Sequence, residues 1–344
     1  MTVRMIMILL YGAGGEPGRG EIPMMRCSTP QPKLLPIQRK LSAGVVENKY
    51  CGKYITVPMY GYEFFERRFR QMPNCKTIAI CNQKGGVGKT TTTVNLGIGL
   101  AMQGKKVLLV DADPQGDLTT CLGWQNADEL SSTLATKLTE VMKEENANPA
   151  NGILHHEEGV DLVPSNLELS ALEISLVTAM SRETTLRSYL SPLKQNYDYI
   201  LIDCMPSLGM ITLNALAAAD SVVIPVQAQY LPAKGMTQLL QTISKVKKYI
   251  NPAIKIDGIL LTLVDARTNL ARSTADALRN NFGSMIKIYH SAIPIAVKAA
   301  EVSSKGKSIY AYEPNNPVAK AYAEFTKEVL TDGKKERLRS SDAR

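Results

Sequence analysis

NQKGGVGKTTTT, residues 82–93, packs three glycines, two lysines and four threonines into twelve positions. The run before it, Thr77-Ile78-Ala79-Ile80-Cys81, is short and apolar, as a strand buried on both faces is. The run after it, Thr91 to Met102, carries Val94, Leu96, Ile98, Leu100 and Ala101 and is followed by Gly104, so it reads as a mostly buried helix with a glycine stop. A glycine-rich loop between strand and helix is the context of a phosphate cradle, because loop and helix-start N–H groups converge on an anion. A plain strand-to-helix turn would account for a glycine pair alone. It would not account for Gly88-Lys89-Thr90, which adds an ammonium for the terminal phosphates and a hydroxyl for Mg²⁺. The pattern departs from G-x-x-x-x-G-K-[ST] at its first position, where Gln83 stands and Lys84 follows.

Downstream, Lys106-Val107-Leu108-Leu109-Val110 reads as a second buried strand ending at Asp111, and "DADPQGDLT" follows. Tyr199-Ile200-Leu201-Ile202 is an unbroken apolar strand ending in Asp203, the place of a Mg²⁺-holding Walker B carboxylate, and "DCMPSLG" follows it. In an open parallel sheet, ligands bind outside the carboxyl ends of the strands, which is where Asp111, Asp113 and Asp203 fall.

Further along, the pattern predicts helices from Leu167 to about Ala179, Glu183 to about Leu190, Met236 to Ile250, Ala271 to Phe282 and Pro317 to Leu330. Strands are predicted at "GVDLVPSN", "DSVVIPVQAQY" and Ile256–Val264, and Asn126–Ala150 reads as polar surface helix and loop. Strand–helix alternation throughout predicts an α/β fold, a doubly wound, mostly parallel sheet with helices on both faces.

The 344 residues are 44% hydrophobic and 21% charged, ordinary for a globular chain. Six cysteines show no C-x-x-C spacing, so reduced thiols are expected rather than a disulfide or zinc framework. No run is long and apolar enough to span a bilayer. The net charge of +8 is uneven: residues 1–75 hold 11 Lys/Arg against 5 Asp/Glu, and residues 76–344 hold 29 against 27. Affinity for nucleic acid would therefore need a local patch. Residues 1–74 show no sustained period and include a proline stretch at Pro30, Pro32 and Pro36; they are expected to be a disordered or non-native extension. Met5–Tyr11 has the apolarity of a signal peptide core, but Met72, a few residues before the first strand, is the expected functional start. Residues 75–332 are the expected catalytic domain and 333–344 a basic flexible tail.

The variant loop K-G-G-x-G-K-[ST] resembles the deviant Walker A motif of the ParA/MinD family of P-loop ATPases, and "NQKGGVGKTTTTVNLG", "LLVDADPQG", "NYDYILIDC" and "LLTLVDARTNL" resemble its Soj-type DNA-partitioning branch. The resemblance covers about residues 76–332. It implies ATP and Mg²⁺ as cofactors, with Lys84, Gly85, Gly86, Val87, Gly88, Lys89, Thr90 and Thr91 at the nucleotide and Thr90, Asp111 and Asp203 at the metal. It implies that Lys84 reaches across an ATP-sandwich homodimer to the partner's phosphates, and that Asp113 orients or activates the attacking water. It implies non-specific binding of double-stranded DNA through C-terminal cations: Arg267 matches one, Lys298 stands where arginine is usual, Ile295 replaces a basic residue, and Lys305 and Lys307 are the remaining candidates. A ParB-like stimulating partner and a cytoplasmic, nucleoid-associated setting come with it. Met205 replaces a usual proline, and Gln229 and Lys234 replace acids.

Other members of the family are excluded by residues. Cys121 and Cys204 lack the spacing of a bridging iron–sulfur site, the tail has a single leucine, Leu338, where a membrane helix needs an apolar face, and it lacks the tyrosine cluster of the kinases. The alternative kept open is a nucleotide-gated positioning or regulatory ATPase acting on a cargo other than DNA.

Overall fold

The computed structural model describes residues 39–42, 45–50, 53–58, 75–145, 147–228, 233–265, 267–296, 298, 301–302 and 305–342. The chain divides into two units, Met1–Arg70 and Gln71–Arg344. The signal-like stretch, the prolines, Met72 and Gln229, and the side chain of Lys234, lie outside the described residues.

In the first unit, strands β1 (Arg39–Ser42), β2 (Val45–Tyr50) and β3 (Lys53–Pro58) form an antiparallel meander in that order, with Leu41 opposite Val46 and Val46 opposite Val57. The extension read as unpatterned thus contains a small sheet. Its β-branched residues, Val45, Val46, Ile55, Thr56 and Val57, suit strands, and each run is too short to register as a sustained period.

The second unit is built on one eight-stranded sheet. Its strands are β4 (Lys76–Ile80), β5 (Val107–Ala112), β6 (Leu154–His155), β7 (Val160–Val163), β8 (Tyr199–Cys204), β9 (Ser221–Gln227), β10 (Lys255–Val264) and β11 (Ile288–Pro294). They lie in the order β11-β10-β9-β4-β8-β5-β7-β6, and every neighbouring pair is parallel except β6–β7. Helices α1 (Lys89–Met102) and α2 (Asp117–Cys121) follow β4 and β5, and α3 (Leu134–Met142), α4 (Glu168–Leu176) and α5 (Thr185–Leu190) lie between β5 and β8 in the chain. Next come α6 (Met210–Ala218), α7 (Ala233–Tyr249), α8 (Asn269–Phe282), α9 (Ile309–Tyr312) and α10 (Pro317–Asp342).

Alternation along each strand divides the core in two. Ala79, Leu108, Val110, Ile200, Ile202, Val222 and Ile224 face one cluster with residues of α3, α5, α6 and α7. Ile78, Ile80, Leu109, Leu201 and Val223 face the other with residues of α1, α2 and α10. Successive side chains point to opposite faces, and both faces are covered, so the strands read as continuous apolar runs. Each of the valines, leucines and isoleucines so buried contributes about 1.5–3 kcal/mol. This is the doubly wound α/β architecture expected. The second unit holds both clusters within itself. A chain starting at Met72 should therefore unfold within about 2–4 °C of the full chain in a thermal melt, and a larger loss would mean that the first unit stabilises it.

The second unit also differs from the sequence reading in several places. Asn126–Ala150, expected at the surface, contributes α3, whose Leu134 and Leu138 are fully buried; the flanking polar residues masked a short apolar stripe. β11 was not predicted: it is the outer strand beyond β10, and exposed His290 and Ala292 interrupt its apolar pattern. The last helix runs on to Asp342 through residues expected as a flexible tail, because Lys334, Lys335, Glu336, Arg337 and Leu338 all favour helix and a single Gly333 does not break it. No helix among the described residues is long and apolar enough to cross a membrane.

β4 lies at the centre, with β8 on one side and β9 on the other, and the chain crosses over it in opposite directions. This is the switch point at whose strand ends an open α/β sheet binds its ligand.

Candidate functional site: a phosphate loop facing paired carboxylates

The loop from Cys81 to Gly88 is pinned at both ends. The Asn82 side-chain amide donates to the Pro225 carbonyl at 2.6 Å, while its oxygen accepts the Lys84 N–H at 3.0 Å. The Thr262 hydroxyl of β10 donates to the Val87 carbonyl at 2.8 Å. Gly88, the N-cap of α1, sits at φ +80°, a left-handed conformation that a side chain would strain, and it supplies no side-chain cap. The first amides of α1 are therefore left for an anion.

The two lysines have separate places. Lys89 is buried, 7% exposed, and its ammonium donates back to the Lys84 carbonyl at 3.3 Å, above the loop. Lys84 is exposed, and its ammonium donates to Gln227 Oε1 at 3.2 Å, at the end of β9.

Opposite the loop, parallel pairing of β5 with β8 sets Asp111 directly beside Asp203. Both are fully buried. Asp111 Oδ2 accepts the Thr119 N–H at 2.9 Å and its hydroxyl at 2.6 Å, and Oδ1 accepts the Asp113 N–H at 3.2 Å. Burial nonetheless pushes its carboxyl up to about 7. Asp203 accepts the Thr93 hydroxyl at 3.3 Å and that of Thr90; burial first, and the Asp111 charge second, push it to about 8. Asp113 is raised by burial, partly offset by the Gln115 N–H at 3.0 Å and by the Lys89 charge. Two adjacent buried carboxylates, with the Asp111 charge raising Asp203, form beside the Thr90 hydroxyl a hard-oxygen donor set suited to Mg²⁺. Among the described residues there is no cluster of three or more His, Cys, Asp or Glu that would hold a metal without further ligands such as phosphate and water.

A cleft of about 330 Å³ joins these parts. Gly85, Gly88, Lys89 and Thr90 line its polar end together with Asp113 and Asp117, and Gly86 and Thr91 also border it. Ile293, Pro294, Ala296, Val318 and Tyr322 give it an apolar wall from β11, the residues just after it and α10, where a flat base would fit. The sequence reading named no residue of this wall; Ile293-Pro294, at the end of an unrecognised strand, was the available signal. Pro206 of "DCMPSLG" also lines the cleft. Met205 packs against the core, and the loop is set by hydrogen bonds: Ser207 Oγ accepts the Gly209 N–H at 3.2 Å, and the Thr212 hydroxyl donates to the Ser207 carbonyl at 2.9 Å.

The C-terminal cations are at the surface. Arg267, after β10, pairs with Asp265 through Nε and Nη2 at 3.0 and 3.2 Å. Lys298, beyond β11, pairs with Glu313. Lys305 and Lys307 are exposed on the turn before α9. Arg267 and Lys298 both follow the carboxyl ends of neighbouring strands, the end at which the phosphate loop lies.

A glycine loop with one buried and one exposed lysine, facing strand-end carboxylates at the switch point, defines a P-loop ATPase of the deviant Walker A type. Residues 75–256 match the family described as an AAA domain. The chain is 46% identical over 258 residues to the sporulation initiation inhibitor protein Soj of Bacillus subtilis, covering 75% of this chain and 99% of Soj. It is 39% identical over 258 residues to the chromosome partitioning protein ParA of Caulobacter vibrioides, covering 74% and 94%. Among solved structures, cobyrinic acid a,c-diamide synthase from Mycobacterium smegmatis with bound ADP and magnesium superposes with a TM-score of 0.65 at 35% identity, covering 74% of this chain and 94% of that one. A plasmid partition protein from Borrelia burgdorferi bound to AMPPNP gives 0.59 at 25%, covering 75% and 98%. The chain belongs to the Soj/ParA family of P-loop ATPases.

Proposed function

We infer that this chain is a DNA-partition ATPase that hydrolyses ATP with Mg²⁺ in the cleft at the ends of β4, β5 and β8. The observation that carries the reading is the pair of lysines on one loop, Lys89 buried over the loop backbone and Lys84 exposed beside it. In this reading the amides from Gly85 to Thr91 and the Lys89 ammonium hold the phosphates. Thr90 and Asp203 hold Mg²⁺, with Asp111 acting through its hydration shell. When bound, the metal offsets charge on the terminal phosphates. Asp113, in the loop after β5, orients the attacking water. Lys84 completes the site of a second copy of the chain, so turnover waits on an ATP-dependent homodimer, much as an arginine finger supplied in trans would impose.

The dimer binds duplex DNA without sequence preference through Arg267 and Lys298, aided by Lys305 and Lys307, and a ParB-like protein stimulates hydrolysis. The working place is the cytoplasm, on the nucleoid. The test is a filter-binding titration across salt, with and without ATP. Log affinity should fall with log salt at a slope of about −0.9 per phosphate neutralised. Arg267→Ala should weaken binding to all sequences alike and flatten the slope by about 1. Tight binding without nucleotide, or preference for one short site, would overturn the reading.

The second reading, a nucleotide-gated ATPase on another cargo, is favoured by exposed Ile295 at a position where the family carries a basic residue, and by the carboxylate partners already held by Arg267 and Lys298. Nucleotide-dependent dimerisation with no DNA affinity would select it.

A further inference from the structure

A continuous line of contacts joins the Asp111 carboxylate to the turn that carries Lys305 and Lys307. Thr119 of α2 donates to Asp111 through both its amide and its hydroxyl. The Thr119 carbonyl accepts the N–H of Trp124 at 3.2 Å. The Trp124 ring lies against the His156 ring, with centroids 6.1 Å apart. His156 Nδ1 accepts the Glu158 N–H at 3.2 Å, so the proton is on Nε2, which donates to the Gly306 carbonyl at 3.1 Å. Gly306 itself sits on Gly123: a Cβ at Gly306 would come within 2.8 Å of the Gly123 Cα, so the two backbones touch where side chains would hold them apart. The far side of the turn is anchored as firmly. The Glu158 carboxylate accepts from the amide and hydroxyl of Ser308, and Asn95 Oδ1 of α1 accepts the Ile309 N–H at 3.0 Å.

α2 is a short helix whose first residue, Asp117, lines the cleft and whose last turn leads into Gly123. A displacement at its start therefore reaches the Gly123–Gly306 contact within two turns. Packed backbone contacts of this kind transmit a shift because they cannot compress.

We propose that this joint, Thr119–Trp124–His156–Gly306, couples nucleotide occupancy to the position of Lys305 and Lys307, so that the turn engages DNA phosphates only in the ATP-bound state. The proposal rests on the DNA-binding reading above and adds the route by which the two sites communicate. Coupling is reciprocal, so DNA held by the turn also stabilises the ATP-bound arrangement of α2. His156 and Glu158 are positioning residues here; neither lines the cleft.

The test uses the full chain, AMPPNP with Mg²⁺, and a 24-base-pair duplex. Trp124 is the chain's single tryptophan, so its emission reports the joint directly. In the unaltered protein AMPPNP should shift that emission and slow amide exchange in both 119–125 and 305–309, with no DNA present. His156→Phe keeps a ring against Trp124 but removes both hydrogen bonds. It should retain the exchange change at 119–125 and lose that at 305–309. Basal ATPase should stay within about twofold while the nucleotide-induced gain in duplex affinity, about tenfold or more, falls by the part that Lys305 and Lys307 supply, about threefold or more. Glu158→Gln, which loosens Ser308 alone, should show the same split to a smaller degree and stands in if His156→Phe fails to fold. An unresponsive 305–309 segment in the unaltered protein, or a full nucleotide-induced gain in either variant, would overturn the joint. If 305–309 responds to nucleotide but the unaltered protein does not bind duplex, the DNA reading falls and the joint stands.

Discussion

Lys89→Ala should leave the chain folded and unable to bind ATP. The side chain is buried at the start of α1, and its ammonium is the cation nearest the loop interior, with Asp113 and Asp203 both within its field. Removing it takes a charge-assisted contact from the phosphates, worth about 1.5–3 kcal/mol. It also removes the positive charge that partly offsets the Asp113 carboxylate lining the cleft, so the anion enters a more negative site. The two effects act together, so affinity should fall by at least about a hundredfold, which isothermal titration with a non-hydrolysable analogue would measure. A dissociation constant within threefold of the unaltered chain would remove Lys89 from the site.

Asp113→Ala should do the opposite: keep ATP and stop turnover. Asp113 lines the cleft but is not a member of the Asp111–Asp203 pair, and its Oδ1 is held by the Gln115 amide, which fixes its orientation. A positioned carboxylate acting on a reacting water contributes about 10²–10⁴ in rate. Single-turnover hydrolysis should fall by that factor with binding unchanged. Burial raises the Asp113 carboxyl, and the base works ionised, so the acid limb of the rate–pH profile should lie above the ordinary carboxylate range. Full turnover in the variant would show that another group orients the water.

What the sequence disclosed depended on how local each feature is. The loop, β4, β5 and β8 are contiguous runs in which the residue order is the geometry. Asp111 and Asp203 were legible because each closes an apolar strand; their adjacency was not, since it depends on β8 inserting between β4 and β5. The apolar wall of the cleft was missed because it is assembled from Ile293 and Pro294 on one strand and Val318 and Tyr322 on a helix about thirty residues later. Thr119, the donor that satisfies Asp111, gave no sign in sequence beyond being one threonine among many. The cations were found as residues, but their carboxylate partners Asp265 and Glu313 were not, because a surface ion pair carries no periodicity.

With Mg²⁺ bound as proposed, the side-by-side carboxylates would make the metal-free protein an exchanger of protons for magnesium. With Asp111 pushed to about 7 and Asp203 to about 8, the folded chain holds protons near neutral pH that the unfolded chain has already lost. The folded state therefore binds more protons between the ordinary carboxylate range and about 8, and without Mg²⁺ its stability should fall as pH rises through that window. The cation competes with those same protons, so its affinity should rise with pH, up to about tenfold per unit for each proton displaced. Loading the site at pH 7 should thus acidify a weakly buffered solution, and the heat of loading should differ between buffers of different ionisation enthalpy.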